Sequence, residues 1–108
     1  MSLDLPNPVE GYFSANRTDG EAVARCFTDN AVVIDEGHTY TGLVAITQWK
    51  ADASKKFTYT CEPFAAEEKD GKTIVTSRVT GNFPGSPVDL RFFFGLEGNK
   101  IASLEITL

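Results

Sequence analysis

Three short turns in the second half of the chain constrain its fold more than any other feature. They lie at Lys69-Asp70-Gly71-Lys72, Pro84-Gly85-Ser86-Pro87 and Glu97-Gly98-Asn99. Gly, Pro, Asn and Asp favour such reversals because they suit the backbone angles that a tight turn requires. We predict a strand on either side of each turn, over roughly 57–67, 72–83, 88–96 and 100–108. Because every connection is short, neighbouring strands should pair as an antiparallel meander.

The alternation of side chains along these strands predicts one strongly apolar sheet face. On one strand this face consists of Val88, Leu90, Phe92, Phe94 and Leu96, and the flanking strands add Val75, Val79, Phe83, Ala102, Leu104, Ile106 and Leu108. Polar residues such as Asp89 and Arg91 alternate with them on the opposite face. An apolar face of this size must be covered by another layer of structure.

The first half of the chain contains the helices that can cover this face. Asn7-Pro8-Val9-Glu10 has the residues of a helix start: a capping side chain, a proline in the first turn and a glutamate three residues after the cap. Thr18-Asp19-Gly20-Glu21 is typical of a second capping box, and the short helix that it begins is predicted to end near Phe27. Apolar residues at helical spacing predict a third helix from Thr41-Gly42 past Trp49.

A short strand and a polar turn separate the second helix from the third. Ala31-Val32-Val33-Ile34 is short and β-branched, which favours a strand, and Glu36-Gly37 ends it. A brief return strand is predicted at Thr39-Tyr40-Thr41. Polar side chains capable of chemistry, Asp35 and His38 among them, gather at this strand end. Together the elements predict an α+β cone, in which a curved antiparallel sheet wraps around the N-terminal helices.

Length and composition exclude several classes of protein. With 108 residues and an apolar fraction of 42%, the chain can form one compact domain with a real core, and we assign residues 1–108 to it. The formal net charge of −5, with scattered basic residues, argues against a nucleic-acid partner. No segment approaches the length of a membrane span, and the first residues lack the basic start and apolar run of a signal peptide. We therefore expect a cytoplasmic protein with neither nucleic acid nor membrane as a partner.

The cysteines and the single histidine argue against a disulfide framework and a metal site. Cys26, expected on the apolar side of a helix, and Cys61, expected in a strand, are too few for a framework and are predicted to be buried free thiols. One histidine and two separated cysteines form no ligand cluster of the kind that holds zinc. No glycine-rich phosphate loop or nucleophile elbow is visible either. We expect no cofactor.

The order of these features resembles the nuclear transport factor 2-like superfamily. The resemblance rests on the N-terminal helix pair, Phe-Thr-Asp-Asn-Ala-Val-Val-Ile-Asp at 27–35, Tyr-Thr-Gly at 40–42, Ile-x-x-Trp at 46–49 and the meander that ends in Gly-Asn-Lys-Ile at 98–101. It covers essentially the whole chain and is nearest to the SnoaL-like group, which includes polyketide cyclases and is related to ketosteroid isomerase. It implies a cystatin-like cone whose open end is a pocket for a small apolar or aromatic ligand.

The resemblance also implies a homodimer formed through the outer sheet face. Arg78 and Arg91 should project from that face. A salt bridge across the dimer interface is the role we prefer for them, and free solvated charge is the alternative.

Two candidate catalytic residues follow from the resemblance. Asp35 falls where ketosteroid isomerase has its general base, and a carboxylate at the mouth of an apolar cavity is suited to shuttling a proton. The alternative is an aspartate that accepts turn hydrogen bonds ahead of Gly37. Tyr12 matches the phenol that donates to the oxyanion in that enzyme. Its alternative is an aromatic side chain packed under the sheet with its hydroxyl satisfied.

A third candidate and one departure complete the comparison with the isomerase. His38 could pair with Asp35 as an acid/base couple, or it could be a solvated histidine in a polar turn. The isomerase's second oxyanion donor is a carboxylic acid on the penultimate long strand. Aligning Phe92-Phe93-Phe94 places Leu90 at that position, and the adjacent Asp89 points to the other face. This departure argues against steroid isomerisation.

The remaining pocket candidates are apolar or aromatic. Phe27, Trp49 and Tyr59 should line the cavity or the core beneath it, with Leu90 and Phe92 on its sheet wall. The expected function is binding of a polyketide- or steroid-like molecule, with proton transfer next to a carbonyl group, of the isomerase, cyclase or aldol type. A non-catalytic ligand-binding protein and a module whose sheet face recruits another protein are the alternatives.

Overall fold

The computed structural model describes residues 5–15, 20–56 and 58–108, which form three helices and six strands. The helices are α1 (Asn7–Ala15), α2 (Gly20–Ala24) and α3 (Leu43–Lys56). The strands are β1 (Phe27–Asp35), β2 (His38–Thr41), β3 (Tyr59–Lys69), β4 (Lys72–Gly81), β5 (Val88–Glu97) and β6 (Lys100–Thr107). The predicted capping residues Thr18 and Asp19 lie outside the described residues. None of the described helices has the length and apolarity to cross a membrane.

The six strands form one sheet in the order β2-β1-β6-β5-β4-β3. Strands β3 to β6 pair as an antiparallel meander, as the turns predict. Strand β1 pairs antiparallel with β2 and parallel with β6. The sequence pattern predicts no partner of β1 other than β2, because β1 and β6 are far apart in the chain. The parallel pairing sets Asp35 opposite Ile106, beside the middle of the sheet.

The helices pack on the apolar face of the sheet, and the predicted α+β fold is confirmed. Tyr12 and Phe13 of α1 contact Phe92 and Phe94 of β5, with ring centroids between 5.2 and 6.2 Å apart. All four side chains are at most 7% exposed. Burying one such side chain stabilises the fold by about 1.5–3 kcal/mol. This aromatic cluster therefore anchors α1 over the centre of the sheet.

The second helix ends earlier than the sequence predicts. It stops at Ala24, and Phe27, expected near the helix end, is the first residue of β1. The backbone N–H of Ile101 donates to the carbonyl of Cys26 at 2.8 Å. The sheet, and not the helix, therefore satisfies this part of the backbone. Cys26, predicted to lie on the helix, is half-buried in the turn that follows it.

Strand β6 presents a different set of side chains to the core than simple alternation predicts. Ile101 is fully buried, whereas Ala102 is only partly buried. The register between β5 and β6 shifts at Gly95 and Leu96, and such a shift changes the phase of the alternation. Ile101 and Leu104, rather than Ala102 and Leu104, therefore complete this part of the core.

The outer face of the sheet carries an ion pair within the chain. Arg78 of β4 and Asp89 of β5 are register partners, and Nε of the arginine lies 3.0 Å from Oδ1 of the aspartate. Both side chains are largely exposed. Arg78 thus has a charged partner in its own chain, where a bridge to a second subunit was expected. The guanidinium of Arg91 lies 5.5 Å from the ring centroid of Phe93.

Candidate active site

A cavity of about 630 Å³ lies between the helices and the sheet. Its apolar wall comes from the sheet and the β4–β5 connection and consists of Val79, Phe83, Pro84, Val88, Leu90, Phe92 and Ile106. Buried or half-buried polar side chains reach it from five elements: Tyr12 on α1, Asp35 at the end of β1, Tyr40 on β2, Lys50 on α3 and Tyr59 and Cys61 on β3. The exposed Glu36 and Asp52 lie at its edge. A mostly apolar cleft of this volume, with a few convergent polar groups, is typical of a small-molecule site.

Asp35 is positioned by a tight turn and by a side chain of α3. Glu36 and Gly37 have positive φ angles of 54° and 79° and form the two-residue turn between β1 and β2. The indole Nε1 of Trp49 donates a hydrogen bond of 3.0 Å to Oδ2 of Asp35. The carboxylate is therefore oriented across the cavity by a group from another element.

Tyr12 places a buried phenol at the same cavity. The side chain is fully buried, and its hydroxyl has no hydrogen-bond partner among the described residues. Burial raises the pKa of Tyr12 well above its usual value, and Cys61, Tyr59 and Asp35 add to the rise, so the phenol keeps its proton. Leaving a buried donor unpaired costs about 1–3 kcal/mol. Because Tyr12 lines the cavity, this hydroxyl is available to an oxygen of a bound molecule.

Lys50 contributes a buried amine. Its side chain is 6% exposed, and Nζ donates a hydrogen bond of 2.9 Å to the hydroxyl of Tyr59. Burial lowers the pKa of Lys50 from 10.5 to about 8, although Cys61 and Asp35 oppose the change. Burial also raises the pKa of Tyr59 to about 12, so Tyr59 stays protonated. The cavity thus combines carboxylates, one amine and phenols, of which Tyr12 and Tyr59 stay protonated.

Aromatic rings surround the amine of Lys50. Nζ lies 4.9 Å from the ring centroid of Trp49, 5.5 Å from that of Tyr59 and 5.6 Å from that of Tyr12. The negative ring faces attract the ammonium form, but they carry no net charge to neutralise it.

Lys50 is not among the site residues predicted from the sequence, although its position in α3 gives one indication that it is buried. It follows the buried Ile46 by four residues, and helical spacing puts positions i and i+4 on the same face. A lysine on the apolar stripe of α3 is therefore a sign of a buried amine.

The structure brings most of the predicted site residues to the cavity. Six of them line it: Tyr12, Asp35, Trp49, Tyr59, Leu90 and Phe92. Phe27 does not; it is 2% exposed and packs in the core, with its ring centroid 6.0 Å from that of Tyr12. His38 does not line the cavity either. It is exposed on the edge strand β2, so its register pairing with Asp35 does not bring the imidazole into the site.

The described part of the chain offers no evident metal site. In residues 5–15, 20–56 and 58–108, no group of three or more His, Cys, Asp or Glu side chains is arranged to hold a metal ion. The polar groups at the cavity are instead suited to hydrogen bonding, proton transfer and, at Lys50, nucleophilic attack.

Comparison with known proteins agrees with this geometry. The sequence matches the family model of the SnoaL-like domain over residues 9–104. A search of curated protein sequences gave no match. Among solved structures, a candidate polyketide cyclase from Sinorhizobium meliloti is 41% identical, with a TM-score of 0.93 and 99% of each chain covered.

Two more distant structures show a likeness of fold alone. A protein from Catenulispora acidiphila with a ketosteroid isomerase-like fold is 19% identical, with a TM-score of 0.85, over 97% of this chain and 87% of the other. A cystatin-fold protein from Novosphingobium aromaticivorans is 16% identical, with a TM-score of 0.78, over 99% of this chain and 100% of the other. Cone-shaped folds of this kind host many activities, so the site decides between them.

Proposed function

The chain belongs to the SnoaL-like domain family, and from that premise we propose that its cavity binds a small, largely apolar carbonyl compound of polyketide type and catalyses proton transfer on it. The observation that carries the proposal is the unpaired, buried hydroxyl of Tyr12, which lines the same cavity as Asp35. An apolar ligand with one carbonyl oxygen would satisfy that hydroxyl. It would also fill the apolar wall without leaving a polar group of its own unpaired.

The proposed reaction begins with Asp35 as a general base. Its carboxylate takes a proton from the carbon next to the carbonyl group, and the electron pair moves toward the carbonyl oxygen. The hydroxyl of Tyr12 donates a hydrogen bond to that oxygen as negative charge develops on it. Return of the proton to a different carbon gives isomerisation, and attack of the enolate carbon on a second carbonyl group gives ring closure.

Deuterium exchange into a simple aromatic ketone tests the proposal. The hydrogens next to the carbonyl of 1-tetralone exchange with D₂O through the same enolate, and proton NMR measures the rate. We expect Asp35→Asn to slow the enzyme-dependent exchange by about 10²-fold or more, because an amide is a poor base. Asp29→Asn is the matched control, since Asp29 is an exposed carboxylate on the same strand. Equal rates for the wild type and Asp35→Asn would overturn the assignment.

Binding is measured separately through the single tryptophan. The chain has one Trp, and Trp49 lines the cavity, so quenching of its fluorescence reports that the ketone has entered. Saturable quenching without any enzyme-dependent exchange would instead favour a ligand-binding protein that has no catalytic role.

We also propose that the protein is a cytoplasmic homodimer joined through the outer sheet face. Phe64 of β3 is 52% exposed, and the guanidinium of Arg78 lies 5.8 Å from its ring centroid. Aromatic side chains and arginines are both enriched at interfaces between subunits. Cys26 and Cys61 are not joined in a disulfide, which suits a reducing compartment.

A further inference from the structure

The proton transfer outlined above leaves the amine of Lys50 without a role. A lysine that is 6% exposed is unusual, because moving an ammonium group out of water is costly unless an opposite charge compensates it. Among the described residues, Nζ forms no salt bridge, and its hydrogen bond goes to the neutral hydroxyl of Tyr59. The fold therefore holds a group that can carry a charge at the cavity wall, with no ion-pair partner among the described residues, although Asp35 favours the charged form from a longer distance.

The surroundings of Lys50 favour the neutral form of its amine more than water does for an exposed lysine. The rings of Trp49, Tyr59 and Tyr12 stabilise the ammonium. Cys61 and Asp35 also favour the charged form, but burial outweighs them and lowers the pKa of Lys50 to about 8. At pH 7 the neutral fraction is then on the order of 10²-fold higher than for an exposed lysine. A neutral amine has a free electron pair, so it can act as a nucleophile.

We propose that Lys50 forms a covalent imine with the carbonyl compound that the cavity binds, an inference that rests on the carbonyl binding proposed above. Lys50 lines the same cavity as Asp35 and Tyr12, and its Nζ lies 5.6 Å from the ring centroid of Tyr12, so a carbonyl compound held by the phenol is bound next to the amine. Once its nitrogen is protonated, the imine is an iminium ion, which is a better electron acceptor than the ketone. It would make removal of the neighbouring proton by Asp35 easier.

The reaction balances without any added reagent. The electron pair of Nζ attacks the carbonyl carbon, and the π electrons move to the oxygen, which is protonated to give a carbinolamine. Both amine protons and the oxygen then leave as one molecule of water, and the C=N bond forms. The hydroxyl of Tyr59, which accepts a 2.9 Å hydrogen bond from Nζ, is placed to relay a proton by passing on its own proton as it takes one from the nitrogen. Attack of water on the imine reverses these steps and releases the product.

Reductive trapping of the wild-type protein tests the proposal directly. 2-Naphthaldehyde has no hydrogen next to its carbonyl group, so it can form an imine but cannot undergo the proton transfer assigned to Asp35. With sodium cyanoborohydride at pH 7.5, hydride adds to the imine carbon and leaves a stable naphthylmethyl amine. We expect one such group per chain, mapped by peptide mass spectrometry to Lys50, at a rate at least about tenfold above that of the exposed Lys72.

Two variants serve as matched controls. Lys50→Met keeps the length of the side chain and should abolish the fast labelling, whereas Lys72→Met should retain it. Labelling spread over exposed lysines, with Lys50 spared, would overturn the proposal even if Lys50→Met failed to fold.

Fluorescence of Trp49 in the same samples separates the imine from the carbonyl binding on which it rests. Saturable quenching with Lys50 unlabelled overturns the imine and leaves the proposed binding intact. Absence of both quenching and labelling overturns the two together.

Discussion

The indole of Trp49 donates a 3.0 Å hydrogen bond to the carboxylate of Asp35, and this contact joins α3 to the end of β1. One carboxylate oxygen is thereby engaged, and the other is left to accept a proton. A hydrogen bond to a charged acceptor is stronger than one between neutral groups, so it restricts the rotation of the Asp35 side chain. The orientation of the proposed base therefore depends on a residue fourteen positions further along the chain.

We predict that Trp49→Phe lowers catalysis more than binding. The phenyl ring keeps most of the packing but cannot donate to Asp35, so the carboxylate becomes free to rotate away from the substrate. Small misplacements of a catalytic group are costly, and we expect kcat for 1-tetralone exchange to fall roughly tenfold while KM changes much less. NMR gives the exchange rates, and calorimetry replaces fluorescence for binding because the variant has no tryptophan. A variant with unchanged kcat would show that the hydrogen bond does not position the base.

We predict that Tyr12→Phe stabilises the protein while weakening its ligand binding. Tyr12 Oη and Ser77 Oγ are both buried without a hydrogen-bond partner among the described residues. Removing either hydroxyl removes a desolvation cost, so Tyr12→Phe and Ser77→Ala should each raise the free energy of unfolding by about 1 kcal/mol in urea denaturation. Only Tyr12 lines the cavity, so only Tyr12→Phe should weaken 1-tetralone binding, by roughly tenfold. Parallel losses of affinity in both variants would contradict this assignment.

We predict that Lys50 makes the protein more stable as the pH rises from 7.5 to 9.5. Burial lowers the pKa of Lys50 from 10.5 to about 8. Between these values the unfolded chain keeps a proton on this amine that the folded protein has lost, so the free energy of unfolding increases with pH. Relative to Lys50→Met, which has no such group, the wild type should gain about 2 kcal/mol over this interval.

Tyr12 and Tyr59 act in the opposite direction, since they lower the free energy of unfolding at high pH, and comparison with Lys50→Met removes their contribution. The raised pKa values of Tyr12 and Tyr59 stabilise the folded protein below pH 10, and that contribution is lost above it in both proteins. Urea denaturation at the two pH values measures the difference. If the free energy of unfolding changed equally with pH in the wild type and in Lys50→Met, the amine would not be desolvated.

We predict that Phe64→Asp separates the proposed dimer. Phe64 is exposed on the outer sheet face, and a buried carboxylate at an interface is costly. Sedimentation should give twice the chain mass of 11.8 kDa for the wild type and the single mass for the variant. Val44→Asp is the control, since Val44 is 86% exposed on α3, away from the sheet. A wild type that sediments as a monomer would remove the dimer from the proposal.

Local chemistry explains what the sequence predicts well. The turn at Asp70 and Gly71 has positive φ angles of 53° and 78°, which Asp and Gly tolerate better than most residues, so the β3–β4 hairpin is visible in the sequence. The alternation around Phe92 and Phe94 likewise identifies the buried sheet face. Each of these signals involves residues that are close together in the chain.

The features that escaped prediction depend on contacts between distant segments. The end of α2 is decided by the hydrogen bond from Ile101 to Cys26, so Phe27 joins a strand although its neighbours favour a helix. The site at Lys50 needs Tyr59 from the next strand to become recognisable. Local patterns contain no information about such partners, which is why Lys50 is not among the predicted site residues. Six of the eight residues that were predicted do line the cavity.

The parallel pairing of β1 with β6 has a consequence for how the protein is made. Asp35 lies opposite Ile106, about seventy residues later in the chain, and contacts of such long sequence separation form slowly. During synthesis on the ribosome, β1 can pair with β2 early, but its other edge must wait for β6, which is translated last among the described elements. The proposed base is thus set in place only near the end of folding, so a nascent chain should acquire its activity late and in a single step.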